Sequence, residues 1–122
     1  MSPKPSAQAT GKLGESLAEA YLKKKGYRIL ERNVRSPFGE IDIVAKHDGV
    51  LVFVEVKTRK DTSFGLPEEA VDGRKKNQLA RLASWYLTRF RKADVQVRFD
   101  VLAIDLTPNG RQMRLIQDAF EL

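Results

Sequence analysis

GEIDIVAKHDGVLVFVEVKTR, residues Gly39–Arg59, has the pattern of a buried β-hairpin: Ile41, Ile43 and the run from Val50 to Val54 flank a central Asp48-Gly49. Asp-Gly between two apolar runs is a strong signal for a two-residue turn. Yet Asp42, Glu55 and Lys57 stand among the apolar residues, where a charge is costly unless it is paired or bound to a metal. A two-residue turn pairs His47 with Val50, and that register sets Asp42 opposite Glu55 and Glu40 opposite Lys57 on one face of the hairpin. Ile41–Val56, Ile43–Val54 and Ala45–Val52 then form the other, apolar face. Phe53 and Val44 share the face of the charged residues, which is therefore not simply a wet one.

Directly opposed carboxylates have Cβ atoms roughly 4.5–5.5 Å apart and repel each other. Two explanations are open. A divalent cation can sit between them, since Mg²⁺ takes one or two carboxylates and leaves its other positions to water and phosphate oxygens; Lys57 would then contact a phosphate or a metal-bound water. Alternatively the face is solvated, and Asp42 and Glu55 pair with Lys57, Lys46 or Arg59, in ion pairs worth ~0–1 kcal/mol.

Outward from the hairpin, the chain reads as one domain over residues 11–122 behind a disordered tail at 1–10, which carries Pro3 and Pro5. Leu13, Leu17, Ala20 and Tyr21 recur at helical spacing, so a helix is expected over 11–25 with Thr10 as its N-cap and Gly26 as its stop. Tyr27–Val34 alternates as a strand, and Ser36–Gly39 turns the chain into the hairpin. Arg59–Pro67 reads as a loop and Glu68–Val71 as a short helical turn. A longer helix follows over Arg74–Arg91, with Leu79, Leu82, Ala83, Tyr86 and Leu87 on its apolar face. Ala93–Ile104 and Met113–Phe120 are strands joined through Thr107–Gly110. The order α-β-β-β-α-β-β describes an α/β protein with a mixed sheet of about five strands and an antiparallel meander at its centre.

Composition narrows the function classes. The chain has 122 residues, 22 Lys+Arg against 16 Asp+Glu, and a net charge of +6; that balance favours a polyanionic partner, nucleic acid first. Cysteine is absent, which removes disulfides, thiol nucleophiles and zinc–thiolate sites. His47, the one histidine, reads as a surface residue beside the turn. The N-terminus lacks an apolar signal segment, and no stretch approaches the ~18–20 apolar residues of a membrane span. A cytoplasmic protein with no membrane partner is expected.

Other charged and aromatic residues have two readings each. Arg74, Lys75 and Lys76 open the second helix, where basic residues oppose the macrodipole and hint at a ligand anion; Arg59, Lys60 and Arg81 extend the stripe. A solvated cluster would look the same. Trp85 and Tyr86 are assigned to the core rather than to base stacking, and Arg98 and Asp100 to a structural ion pair.

EIDIVA followed by FVEVKTR resembles the D…(D/E)xK signature of the restriction-endonuclease-like PD-(D/E)xK nuclease superfamily. More closely, the chain is similar to the YraN-like family of small bacterial proteins, whose fold resembles archaeal Holliday-junction resolvases. The likeness runs from GKLGESLAEAYLKKKGYRILERNVR through FGLPEEAVDGRKKNQLARLASWYL to VRFDVLAID and the terminal DAF, about residues 11–120. It implies Asp42 and Glu55 as ligands of Mg²⁺ or Mn²⁺, with the Val56 carbonyl as backbone ligand. It also implies Lys57 as the group that orients the attacking water, and Glu15 as a helical glutamate brought to the same site. Ile41 replaces the proline of the motif name. The implied activity is hydrolysis of DNA phosphodiesters, on branched or single-stranded DNA, with Arg59, Lys60, Arg74, Lys75 and Lys76 on the nucleic acid and a homodimer as one arrangement. Two other functions stay open: a nucleic-acid-binding module of the same fold without catalysis, and an accessory protein with a protein partner.

Overall fold

Apolar residues two apart along strands and three or four apart along helices sort this chain into two cores, one on each face of a single sheet. The computed structural model describes residues 7–59, 73–89 and 95–119, with side chains from Gly14 onward. Its elements are α1 (Ala7–Lys24), β1 (Arg28–Ser36), β2 (Gly39–His47), β3 (Val50–Arg59), α2 (Gly73–Arg89), β4 (Val97–Thr107) and β5 (Gly110–Ile116). The five strands lie in chain order, antiparallel except for β3 against β4, which is parallel. The expected order and mixed sheet are therefore present. A parallel step needs a crossover, and α2 lies in the connection that makes it.

Leu79, Leu82, Ala83 and Tyr86 of α2 pack with Val44, Leu51, Phe53 and Phe99 on one face. Ala18 and Leu22 of α1 pack with Ile43, Ala45, Val52, Val54, Leu102 and Ile104 on the other. Residues 99–105 of β4 are all buried, as befits a strand covered on both faces.

The hairpin turn is as expected. Asp48 and Gly49 both have positive φ, 51° and 77°, the geometry that matches the twist of the flanking strands. Ile43 faces Val54, Ala45 faces Val52 and His47 faces Val50. One assignment differs: Ile41 joins the α2 cluster instead of sharing the α1 face with Ile43. The ladder between β2 and β3 ends at Ile43–Val54, so strict alternation no longer binds the residues before it.

Several boundaries also move. α1 starts at Ala7, so Thr10 lies within the helix and is not its cap. β4 begins at Val97 and runs to Thr107, and β5 begins at Gly110. Both strands extend to the Pro108-Asn109 turn, closed by Thr107 Oγ1 donating to the Gly110 carbonyl at 3.1 Å. The expected short helix at Glu68–Val71, and Lys60 with it, falls outside the described residues. His47 is not an idle surface residue: its side chain is 14% exposed, it stacks on Tyr27 at 4.1 Å between ring centroids, and its Nδ1 lies 3.0 Å from Arg98 Nη2. The Arg98–Asp100 ion pair is present, with Nη2 and Oδ2 2.8 Å apart.

Gly14 sits inside α1, where glycine costs about 1 kcal/mol relative to alanine. Close approach accounts for it: a methyl group there would run into the Thr58 hydroxyl of β3. Gly14→Ala should therefore destabilise the protein by about 1–3 kcal/mol despite its better helix propensity. In urea unfolding, adding Thr58→Ala should recover much of that loss. Strictly additive effects would show that the contact is not the cause.

Candidate metal centre

β2 and β3 carry the charged residues as the sequence spacing requires, but the ladder that would oppose them stops short. Beyond Ile43–Val54, the N–H of Val56 donates to Asp42 Oδ2 at 2.9 Å. Asp42 thus takes the place of a backbone acceptor on the neighbouring strand. The expected direct opposition of Asp42 and Glu55 is not formed as a ladder pair.

Each carboxylate settles elsewhere. Glu55 Oε1 is 3.2 Å from Lys57 Nζ and 2.8 Å from Lys75 Nζ. Its Oε2 is buried and has no hydrogen-bond partner among the described residues. Asp42 lies with Glu40 and Glu15, one oxygen from each within 4.8 Å of the others. Glu15 comes from α1 on the far face of the sheet, and Gly14 next to it is what lets the helix approach β3 closely enough. Arg32 of β1 holds Glu19 at 2.7 Å and stands 4.0 Å from Glu15. Asp42, Glu40, Glu55 and Lys75 line one cleft, backed by Ile41, Phe53, Leu79 and Phe99.

The electrostatics follow from this crowding. Burial pushes the Asp42 carboxyl up to about 6, and the charges of Glu55, Glu15 and Glu40 add to the rise, against the pull of the Val56 N–H. Such a set suits a hard divalent cation: every donor is oxygen, the charge is in excess, and Glu55 offers a buried oxygen that no other described residue uses.

Of the residues expected at the site, Glu15, Asp42, Glu55, Lys57 and Val56 are brought together. Lys75, expected on the nucleic-acid stripe, reaches into the cleft and holds Glu55. Arg74 and Lys76 are exposed at the start of α2. Arg59 ends β3 beside Asp105 in the parallel register. Glu40 is the residue that the sequence reading passed over as a ligand. Its signal was there: it lies two positions before Asp42, hence on the same side of a strand.

Asp42→Asn keeps an acceptor for the Val56 N–H and removes the charge. In EDTA, the wild-type protein should lose stability as pH rises from about 4 through about 6, because the native state keeps the Asp42 proton to higher pH than the unfolded chain does. The variant should lack that loss and be more stable at pH 7.5 by about 2 kcal/mol in urea unfolding. Mn²⁺ should raise the wild-type midpoint and leave the variant's unchanged. A wild-type curve that is flat across this window would remove the case for crowded charge.

The chain matches the family model described as "Uncharacterised protein family UPF0102" over residues 14–104. It is 50% identical over 113 residues to a UPF0102 protein of Syntrophus aciditrophicus, covering 93% of this chain and 89% of that one. It is also 50% identical over 115 residues to UPF0102 protein STH1475 of Symbiobacterium thermophilum, covering 93% and 98%. With UPF0102 protein GSU0650 of Geobacter sulfurreducens it shares 48% over 113 residues, covering 92% and 88%.

Proposed function

We propose that this chain, which belongs to the UPF0102 family, is a metal-dependent nuclease that hydrolyses DNA phosphodiester bonds, on branched or single-stranded DNA. One observation carries the reading. Carboxylates of Glu15 on α1 and of Glu40 and Asp42 on β2 converge within 4.8 Å, and Glu40 and Asp42 line one cleft with Glu55. Asp42, Glu40 and Glu15 would hold Mg²⁺ or Mn²⁺, with Glu55 and the Val56 carbonyl as further ligands. When bound, the cation would polarise the phosphoryl oxygen and lower the pKa of a coordinated water.

The chain's own residues have separable tasks. The Val56 N–H fixes the orientation of Asp42. Lys57, its ammonium 3.2 Å from Glu55, would donate to the attacking water or offset charge growing on the phosphate. Lys75, on α2, would do the same from the opposite wall. The likeness of Asp42, Glu55 and Lys57 to the PD-(D/E)xK motif, and of Glu15 to the helical glutamate of resolvases, supports the same assignment. The net charge of +6 favours a polyanionic substrate.

A second reading rests on Lys57 and Lys75 together. Two ammonium groups on one Glu55 oxygen could balance the cleft without a cation, as in a binding protein that does no chemistry. Nicking of supercoiled plasmid in Mn²⁺ separates the two. Wild type should nick, and Asp42→Ala and Lys57→Ala should each lose about 100-fold or more, as removal of one transition-state contact typically does. Equal activity in all three proteins would overturn the catalytic assignment; DNA binding without nicking would favour the second reading.

A further inference from the structure

α2 carries a second surface outside the carboxylate cleft. Phe38, in the turn between β1 and β2, is 41% exposed and is the one large apolar side chain so exposed among the described residues. Its backbone is held in place: the carbonyl accepts Gln78 Nε2 at 2.7 Å, and the N–H donates to Ser36 Oγ at 3.0 Å. Two open hollows meet at Phe38 and Arg81. One continues along α2 to Trp85 and Arg89, the other to Arg74 and Asn77. No carboxylate lines either hollow among the described residues. Trp85 was assigned to the core; it packs against the α2 cluster and also lines the outer hollow, with the Arg89 guanidinium 5.4 Å from its ring centroid.

We propose that this surface binds a single strand of nucleic acid, with bases stacked on Phe38 and Trp85 and phosphates held by Arg74, Arg81 and Arg89. The inference rests on the nucleic-acid reading above and adds the strand form and its path. Two rigid aromatic side chains bordered by arginines match the alternation of bases and phosphates along a strand. In a duplex the base faces are covered by one another, and only edges and backbone are presented. The surface also leads to the cleft. Lys75, next to Arg74, contacts Glu55, and Phe38 lies two residues before Glu40.

Trp85 is the only tryptophan in the chain, so its fluorescence reports on this surface alone. With EDTA present to prevent cleavage, a short oligothymidylate should quench Trp85 saturably, and the same strand in duplex should not. Phe38→Ala, at an exposed position, should fold normally by circular dichroism and weaken oligothymidylate binding roughly 5- to 150-fold. Arg81→Ala should weaken it and reduce the salt slope by about one. Binding seen by anisotropy without quenching, or unchanged in Phe38→Ala, would overturn this surface and leave the nuclease proposal intact. Quenching by duplex or by poly-glutamate as strong as by oligothymidylate would also overturn it. Failure to bind any nucleic acid would sink both proposals together.

Discussion

Where the β2–β3 ladder ends, one hydrogen bond takes over, from the Val56 N–H to the Asp42 carboxylate at 2.9 Å. Much of the site depends on it. An N–H that would otherwise be orphaned in a half-buried place is satisfied by a charge, and the charge is thereby held in a fixed direction. Because the strands no longer exchange backbone bonds here, Glu40 and Glu15 can bring their oxygens to within 4.8 Å of that of Asp42. A continued ladder would have paired Asp42 with Glu55 and filled this space with backbone. The half-open hairpin is what turns a β-structure into a cleft.

Around that bond the charges divide into two groups. Glu15, Glu40 and Asp42 form an acidic group with little compensation, among the described residues, beyond Arg32, which stands 4.0 Å from Glu15. Glu55 belongs to a different group, gripped by ammonium groups from β3 and from α2. A divalent cation would meet the first group's excess of charge, and a phosphate the second group's cations. Glu40 and Asp42 of the first group share one cleft with Glu55 and Lys75 of the second, so anion and cation could be held side by side there. Under the proposed function, that arrangement would suit a phosphodiester.

The sheet was largely legible because it rests on local chemistry. Asp48-Gly49 dictated the turn, the turn dictated the register from His47–Val50 to Ile43–Val54, and the register placed Glu55 and Lys57 on the side of Phe53. The reading failed where pairing itself fails, since the end of the ladder has no signature in the hydrophobic pattern. That is why the pattern puts Ile41 on the wrong face; Glu40, two positions before Asp42, was legible on the charged face but not as a ligand. Glu15 could not have been placed from spacing, because its approach depends on how closely α1 packs over Thr58, a tertiary contact. Lys75 is similar: its charge opposes the dipole at a helix start and so points to an anion, but only the packing of α2 on the sheet shows that it reaches Glu55. His47 reads as a surface residue with no role, yet it stacks on Tyr27 and lies beside Arg98; Trp85 reads as core, and it packs against the core while also lining the outer hollow.

Asp100 provides a control within the same fold. It is 1% exposed, more deeply buried than Asp42, yet its charge is fully met. Tyr27 donates to it at 2.6 Å, Arg98 through two nitrogens at 2.9 and 2.8 Å, and the Asp118 N–H at 2.9 Å. Tyr27 is itself pushed up to about 12, chiefly by its burial, so it remains a donor throughout the physiological range. Breaking such a set would leave a buried charge without partners, which is strongly destabilising; the beginning of β4 is held firmly on that account. Among the described residues, Asp42 has one N–H donor and three neighbouring carboxylates. Both aspartates come from strands of one sheet, so the difference lies in what the chain supplies around them. Asp100 shows that this fold can neutralise a buried aspartate completely. The contrast supports the function proposed above, in which a cation would meet the charge that the described residues leave around Asp42.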